Sequence, residues 1–419
     1  MLSATRTPPG FPTLVLLAAL SVLSLNMFLP SLPNIAAEFG VEYGLVSLAV
    51  AGYMAFTAVM HLVMGPLSDR YGRRPVLLAG LSVFTLASLG CLAATGIWSF
   101  LAFRVLQSAM ISGWVISLAI VRDTSPPRET ASRIGYVAMV MAVGPMLGPM
   151  LGGALAELFG WRSSFVLYVL LGIGAFALCW ADVGETNHQR SATLTAQLRA
   201  YPALFRSRRF WAYALCMVFS TGTFYVFIAG APLVAHAAFD LKPATLGFFM
   251  GTITAGFAVG SFLSGRFARR FAFSSMMIAG RVAAMAGLAA GLLLYLFGHI
   301  GVLTYFGATV FSGFGNGLTM PSANAGALSV RPQLAGSAAG LAGAMTVGGG
   351  ALLTSLVGAI ISAEHAAWQL LGAMFLCALA GLLAALYVRR IDRIELECVH
   401  ADDDTGESDA ATARDSAES

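Results

Sequence analysis

Apolar segments long enough to cross a bilayer recur along the whole 419-residue chain, and no other feature restricts its fold as much. A helix needs about 20 mainly apolar residues to span the hydrocarbon layer. Spans are predicted at roughly 11–33, 44–66, 75–95, 97–121, 134–157, 161–181, 210–235, 245–266, 274–297, 300–322, 333–360 and 366–389. In lipid every backbone polar group must be satisfied within the segment, so the expected fold is all-α integral membrane, with twelve transmembrane helices. Charged residues make up 11% of the chain, less than half the ~25% of soluble domains.

The placement of basic residues tests this count. Arg6; Arg70, Arg73, Arg74; Arg122, Arg128, Arg133; Arg190, Arg199, Arg206, Arg208, Arg209; Arg266, Arg269, Arg270; Arg331; and Arg389, Arg390, Arg393, Arg414 all fall on one side. Only Arg162 and Lys242 fall on the other, while Arg104 and Arg281 lie inside spans. Such an excess of Arg and Lys marks the cytoplasmic side, which predicts both termini in the cytoplasm. The pI near 8.9 therefore reports topology and not nucleic-acid binding, because the basic residues sit in short loops between apolar spans.

The apolar run after Arg6 is too long for a signal peptide, carries Pro30 and Pro33, and is taken as the first span. Cys91, Cys179, Cys216, Cys377 and Cys398 are scattered without metal-ligand spacing or a disulfide framework, and no cofactor or metal is expected.

The longest connection, 182–209, separates a six-helix half at 1–181 from a second at 210–399. Its middle, "TLTAQLRAYPALF", suits a short helix lying along the membrane surface. The polar, acidic stretch 400–419 has no apolar period and is expected to be a disordered tail. An internal repeat links the halves: "LSDRYGRR" at Leu67–Arg74 returns as "LSGRFARR" at Leu263–Arg270. The same offset carries Gly144, Gly152 and Gly153 onto Gly340, Gly348 and Gly349. Each half has an even number of spans, so the repeats are parallel, as in secondary transporters that rock about a central site.

"GPLSDRYGRRP" at Gly65–Pro75 joins spans two and three on the basic side. It resembles the signature loop of the major facilitator superfamily; the plainer reading is a basic turn that serves topology. In the functional reading Gly65 permits close helix contact, and Asp69, Arg70, Gly72, Arg73 and Arg74 form a cytoplasmic gate. Asp69 would dock on the start of span eleven after Arg331-Pro332, where a helix N-terminus favours an anion. The second copy has Gly265 in place of Asp69, so such a latch is one-sided.

"GPMLGPMLGG" at Gly144–Gly153 resembles the motif of the drug-antiporter branch of that superfamily. Gly144, Gly148 and Gly152 recur every four residues as a smooth ridge, and Pro145 and Pro149 each remove a backbone donor. A flat, kinked face at the interface of the halves, Gly153 included, that serves as a sliding seal is one reading, and generic close packing is the other. In "FRVLQSAMISGW", Arg104 lies well inside span four and is either functional or a snorkelling structural arginine. With Gln107 it matches the family's RxxQ pattern, and "AIVRD" at Ala119–Asp123 matches as well.

Together with "FLPSLPNIA" in span one and "GNGLTMPSANAGAL" in span ten, these segments resemble the Bcr/CflA subfamily of bacterial drug exporters. The resemblance implies an inner-membrane antiporter that exchanges small amphipathic molecules for protons, working as a monomer in the lipid bilayer. It also marks a departure. The subfamily carries an aspartate where this chain has Asn26, before "MFLP". None of the 20 acidic residues falls in a span interior. His61, whose ordinary pKa near ~6.5 suits proton transfer, is the best titratable candidate within a span, although a packed histidine is the commoner outcome. Asn26 and Arg104 are expected at similar depth. Tyr53, Met110, Trp114, Phe224, Tyr225, Phe248 and Asn316 are candidates for an adaptable apolar pocket with a few polar anchors, or for packing and lipid contact.

Two mechanisms stay open. Protons pass through His61, through Asp69 or Asp123, or by competition at Arg104; or Arg104 attracts a polar or anionic metabolite and transport is facilitated without protons. A non-transporting sensor on the same fold is a further alternative. Enzyme classes find no support, since HExxH, GxSxG and a nucleotide-binding loop are all missing from the sequence.

Overall fold

The computed structural model describes residues 9–124, 127–187, 202, 204–267, 270–331 and 335–415. The described residues form long helices connected by short turns. Span one is Phe11–Asn26 and Leu32–Phe39, and span four is Ile97–Gln107 and Ile111–Thr124. The others of the first half are Tyr43–Tyr71, Arg73–Leu92, Pro127–Phe159 and Arg162–Asp182. The second half holds Arg208–Phe239, Pro243–Phe267, Phe273–Leu296, Val302–Ser329, Ala335–Ile360 and Ala366–Asp415. Ten of the twelve are apolar and long enough to cross a membrane, and the other two, spans five and ten, have 33 and 28 residues.

Two differences from expectation have local causes. Span one does not end near residue 33. Pro30 has no N–H to give the Asn26 carbonyl, so the helix stops at Asn26, passes through a single 3-10 turn at Leu29–Ser31, and resumes with Pro33 in its first turn. It closes at Gly40, whose φ of 62° lies in the left-handed region glycine tolerates. The second difference is at the C-terminus, where the last helix continues to Asp415 instead of giving way to a disordered tail at 400. No proline interrupts that stretch, so every backbone N–H remains able to continue the ladder. The surface helix expected within "TLTAQLRAYPALF" falls mostly outside the described residues.

The halves meet along two long seams, span two against span eleven and span five against span eight. These pairs exchange under the internal repeat, so the interface has the pseudo-two-fold character that parallel repeats require. Small residues let the backbones approach. A Cβ at Gly153 would run into the Pro243 carbonyl, and one at Gly247 into the Pro149 carbonyl. A Cβ at Gly44 would stand 2.8 Å from the Gly358 carbonyl oxygen.

The halves are also tied at the end opposite the basic loops. The Tyr43 hydroxyl donates to the Ala229 carbonyl, Lys242 pairs with Glu157 at 3.6 Å, and the Ala244 N–H reaches the same carboxylate at 3.4 Å.

Candidate functional site: a cavity at mid-span

A cavity of about 280 Å³ lies near the middle of the spans, between the two halves. That is close to the lower end of the ~300–1,000 Å³ typical of small-molecule sites. The residues reach it because each span presents one helical face: Ser21, Val22, Leu25 and Asn26 from span one, Tyr53, Met54, Thr57 and His61 from span two, and Thr221, Phe224 and Tyr225 from span seven. Ile253, Thr254 and Phe257 of span eight and Gly313, Asn316 and Met320 of span ten complete the opposite wall. Among the described residues, no lining side chain is a carboxylate and His61 is the lining histidine.

Six expected residues therefore meet at one place: Asn26, Tyr53, His61, Phe224, Tyr225 and Asn316, with Pro145 of the glycine-proline motif beside them. Asn26 is 2% exposed; its amide donates to the Val22 carbonyl at 2.8 Å, while its Oδ1 has no partner. It also abuts the glycine ridge, since a Cβ at Gly148 would sit 3.0 Å from the Asn26 Cβ. Gly144 faces Val22 in the same way, and a Cβ at Gly152 would collide with the Met27 carbonyl. The ridge of Gly144, Gly148 and Gly152 thus packs on span one of its own half and not at the interface expected of a seal, because span one lies against that face; Gly153 alone of the four turns to the other half.

Five expected residues do not line the cavity. Arg104 and Gln107 are fully buried one layer behind it. Arg104 donates to the Ser24 carbonyl at 3.2 Å and to Gln107, and Gln107 passes a hydrogen bond to Ser88 at 2.7 Å. Its guanidinium lies 3.9 Å from the Phe28 ring centroid and 4.8 Å from that of Tyr53. Each desolvated cation–π contact contributes about 2 kcal/mol, and together they offset the ~2.5–3.5 kcal/mol of placing an arginine at mid-span. Met110 is fully buried and its carbonyl takes the Ser21 hydroxyl at 2.8 Å, while Trp114 packs on the core of its half. Phe248 is 56% exposed. It precedes the lining residue Phe257 by nine positions, which at ~100° per residue puts it on the opposite face of span eight. Asn26 and Arg104 do lie at similar depth, for Arg104 reaches Ser24 and Phe28 on either side of Asn26.

Arg281 was legible only as a charge inside span nine, and it proves to organise the second wall. It is fully buried; its Nη2 donates to Asn316 Oδ1 at 2.6 Å and its Nε to Thr319 Oγ1 at 3.0 Å, and Nη1 has no partner. The signal that could have found it is the one that drew attention to Arg104, a charge at a depth where charge is expensive. Thr57, Thr221 and Thr254 also escaped notice. Each sits three or four positions from an aromatic or His61 on the lining face, a periodicity visible only once the face is known.

At the basic end, Arg73 pairs with Asp69 and with Asp123 at 3.1 Å, and donates to Ser68 at 2.6 Å. Glu185, just past span six, accepts from the backbone N–H groups of Arg73 at 2.9 Å and Arg74 at 3.3 Å, capping span three. Gly72 makes the turn between spans two and three with φ of 104°. Arg70 and Arg74 lie over the rings of Tyr71 and Trp180, and nothing crowds Gly65. The segment expected to receive Asp69 begins at Pro332, outside the described residues.

A model of the Major Facilitator Superfamily matches residues 14–353. The chain is 29% identical over 348 residues to multidrug resistance protein D of Escherichia coli (strain K12), covering 82% of this chain and 86% of that one. It is 27% identical over 386 residues to a bicyclomycin resistance protein homolog of Haemophilus influenzae, covering 90% and 95%. Among solved structures it is similar to a bacterial homolog of the human lysosomal transporter Spinster in an inward-facing, unoccupied conformation, with a TM-score of 0.74, 16% identity, and 92% and 97% coverage.

Proposed function

The chain belongs to the Major Facilitator Superfamily, and from that premise we propose that it exports small amphipathic compounds across the bacterial inner membrane in exchange for protons. The observation that carries this reading is the mid-span cavity between the two halves, walled by aromatic, methionine and threonine side chains with a few polar groups. The halves 1–181 and 210–399 rock as bodies about it, and the charge bias puts both termini and the Asp69 loop in the cytoplasm. The contacts at the opposite end close the cavity toward the outside. Asp69, Arg73 and Asp123 brace the inner gate from the first half. The relatives named for resistance to drugs support the substrate class, and the protein works as a monomer in the bilayer.

One observation favours a second reading, in which transport is facilitated and no proton is exchanged: no carboxylate lines the cavity among the described residues. The deciding experiment expresses the protein in an efflux-deficient bacterium and follows drug accumulation with and without a protonophore. Export that stops with the proton gradient supports exchange, and drug extrusion unaltered by its collapse overturns it. A protein that binds drugs but moves none in proteoliposomes overturns transport itself.

A further inference from the structure

Two guanidinium groups stand behind opposite walls of the cavity, and neither Arg104 nor Arg281 has a carboxylate partner among the described residues. Arg104 is screened by the rings of Phe28 and Tyr53. Arg281 is differently placed, because one of its partners, Asn316, is itself a cavity residue.

The geometry determines what Asn316 can offer. Its Oδ1 is taken by Arg281, so the amide is oriented with Nδ2 away from the arginine, donating to Thr223 Oγ1 at 3.1 Å. Thr223 accepts a second hydrogen bond from Ser312 at 3.0 Å and spends its own proton on the Ser220 carbonyl at 2.7 Å. An amide nitrogen has two protons and only one has a named acceptor. Asn316, 4% exposed and lining the cavity, thus has its Oδ1 occupied by Arg281 and one amide proton left over for a ligand. Behind it lies an uncompensated cation in a low-dielectric setting, where its field reaches further than in water. On the facing wall the Asn26 Oδ1 remains without a partner.

We infer that Arg281, acting through Asn316, makes the second-half wall an anion-selecting subsite, so that the cavity takes lipophilic organic anions carrying a carboxylate or sulfonate in preference to lipophilic cations. The acidic group lies at Asn316, and the apolar body lies among Phe224, Tyr225 and Phe257. Arg281 is a positioning residue that orients the Asn316 amide and supplies the field. This rests on the proposed export function only in taking the cavity as the substrate site.

The test uses purified full-length protein in nanodiscs and three dansyl probes of one scaffold: dansyl-β-alanine, its neutral methyl ester, and a dansyl alkyl-trimethylammonium. Wild type is expected to bind the carboxylate probe at least ten-fold more tightly than the ammonium probe. Arg281→Met is expected to weaken the carboxylate probe about ten-fold and the ester less than three-fold, with Arg281→Lys recovering part of the loss. Where Arg281→Met does not fold, Asn316→Asp keeps the arginine paired, neutralises its field, and is expected to reverse the order of preference. Equal or better binding of the ammonium probe by wild type, no binding of the carboxylate, or an unchanged order in Asn316→Asp overturns the inference. Failure of export alone would appear as the expected binding order with no probe moved into inverted vesicles.

Discussion

The guanidinium of Arg104 lies 3.9 Å from the centroid of the Phe28 ring, in a layer of the protein that the cavity does not reach. The ring takes the place a counter-ion would fill. Phe28→Leu removes the quadrupole while keeping an apolar side chain, and is expected to destabilise the protein by about 1–3 kcal/mol and to reduce export. Arg104→Lys does not restore function, since an ammonium cannot keep the Gln107 bond and the stacked plane together. Thermal unfolding and drug accumulation in cells check both.

Phe224 and Phe248 are equal in chemistry and opposite in position. Phe224→Ala opens the cavity wall and is expected to lower drug affinity by ~5-fold or more, at about 1–3 kcal/mol for a buried aromatic contact. Phe248→Ala acts on an exposed face and changes affinity by less than ~2-fold. Titration of a bound drug against the two purified variants separates them.

Asn26→Asp places an acid on the cavity wall where Oδ1 now has no partner. Export by this variant is expected to depend more steeply on the proton gradient than export by wild type, measured as accumulation at several imposed gradients. If His61 carries the proton in wild type, His61→Gln abolishes the residual pH dependence while Asn26→Asp in the same chain brings it back.

Tyr43→Phe deletes the hydroxyl that ties span two to the Ala229 carbonyl at the far end. Losing one such bond weakens closure there by about 0.5–1.5 kcal/mol, a two- to ten-fold shift in population. Labelling of a Thr254→Cys reporter by an impermeant thiol reagent from the outside is expected to accelerate by that factor.

Glu185→Ala removes the cap on span three and is expected to cost about 1–2 kcal/mol, seen as a lower unfolding temperature. Gly72→Ala costs more, because its φ of 104° strains any other residue and the new Cβ runs into the Glu185 carboxylate.

The spans, the two parallel halves, the charged loop at Gly65–Pro75 and the family were legible in the amino-acid order. The spans depend on local quantities, runs of apolar residues and the side on which arginines fall; the halves follow from the repeat of Leu67–Arg74 at Leu263–Arg270, and the family from the resemblance of those motifs. Depth was legible too, which is why Asn26 and Arg104 were rightly placed level with each other. What sequence could not settle was which way each side chain faces. A residue's height in the membrane follows from counting 1.5 Å per residue, but its direction turns by 100° at each step and depends on how neighbouring helices pack. For that reason Phe248 faces away from the cavity, Arg104 lies one layer behind it, and Arg281 in span nine reaches the wall through Asn316 in span ten. The membrane fold was dictated by the sequence alone, because lipid leaves the backbone little choice. The character of the cavity was decided by helix rotation and packing between distant spans, which only the tertiary structure specifies.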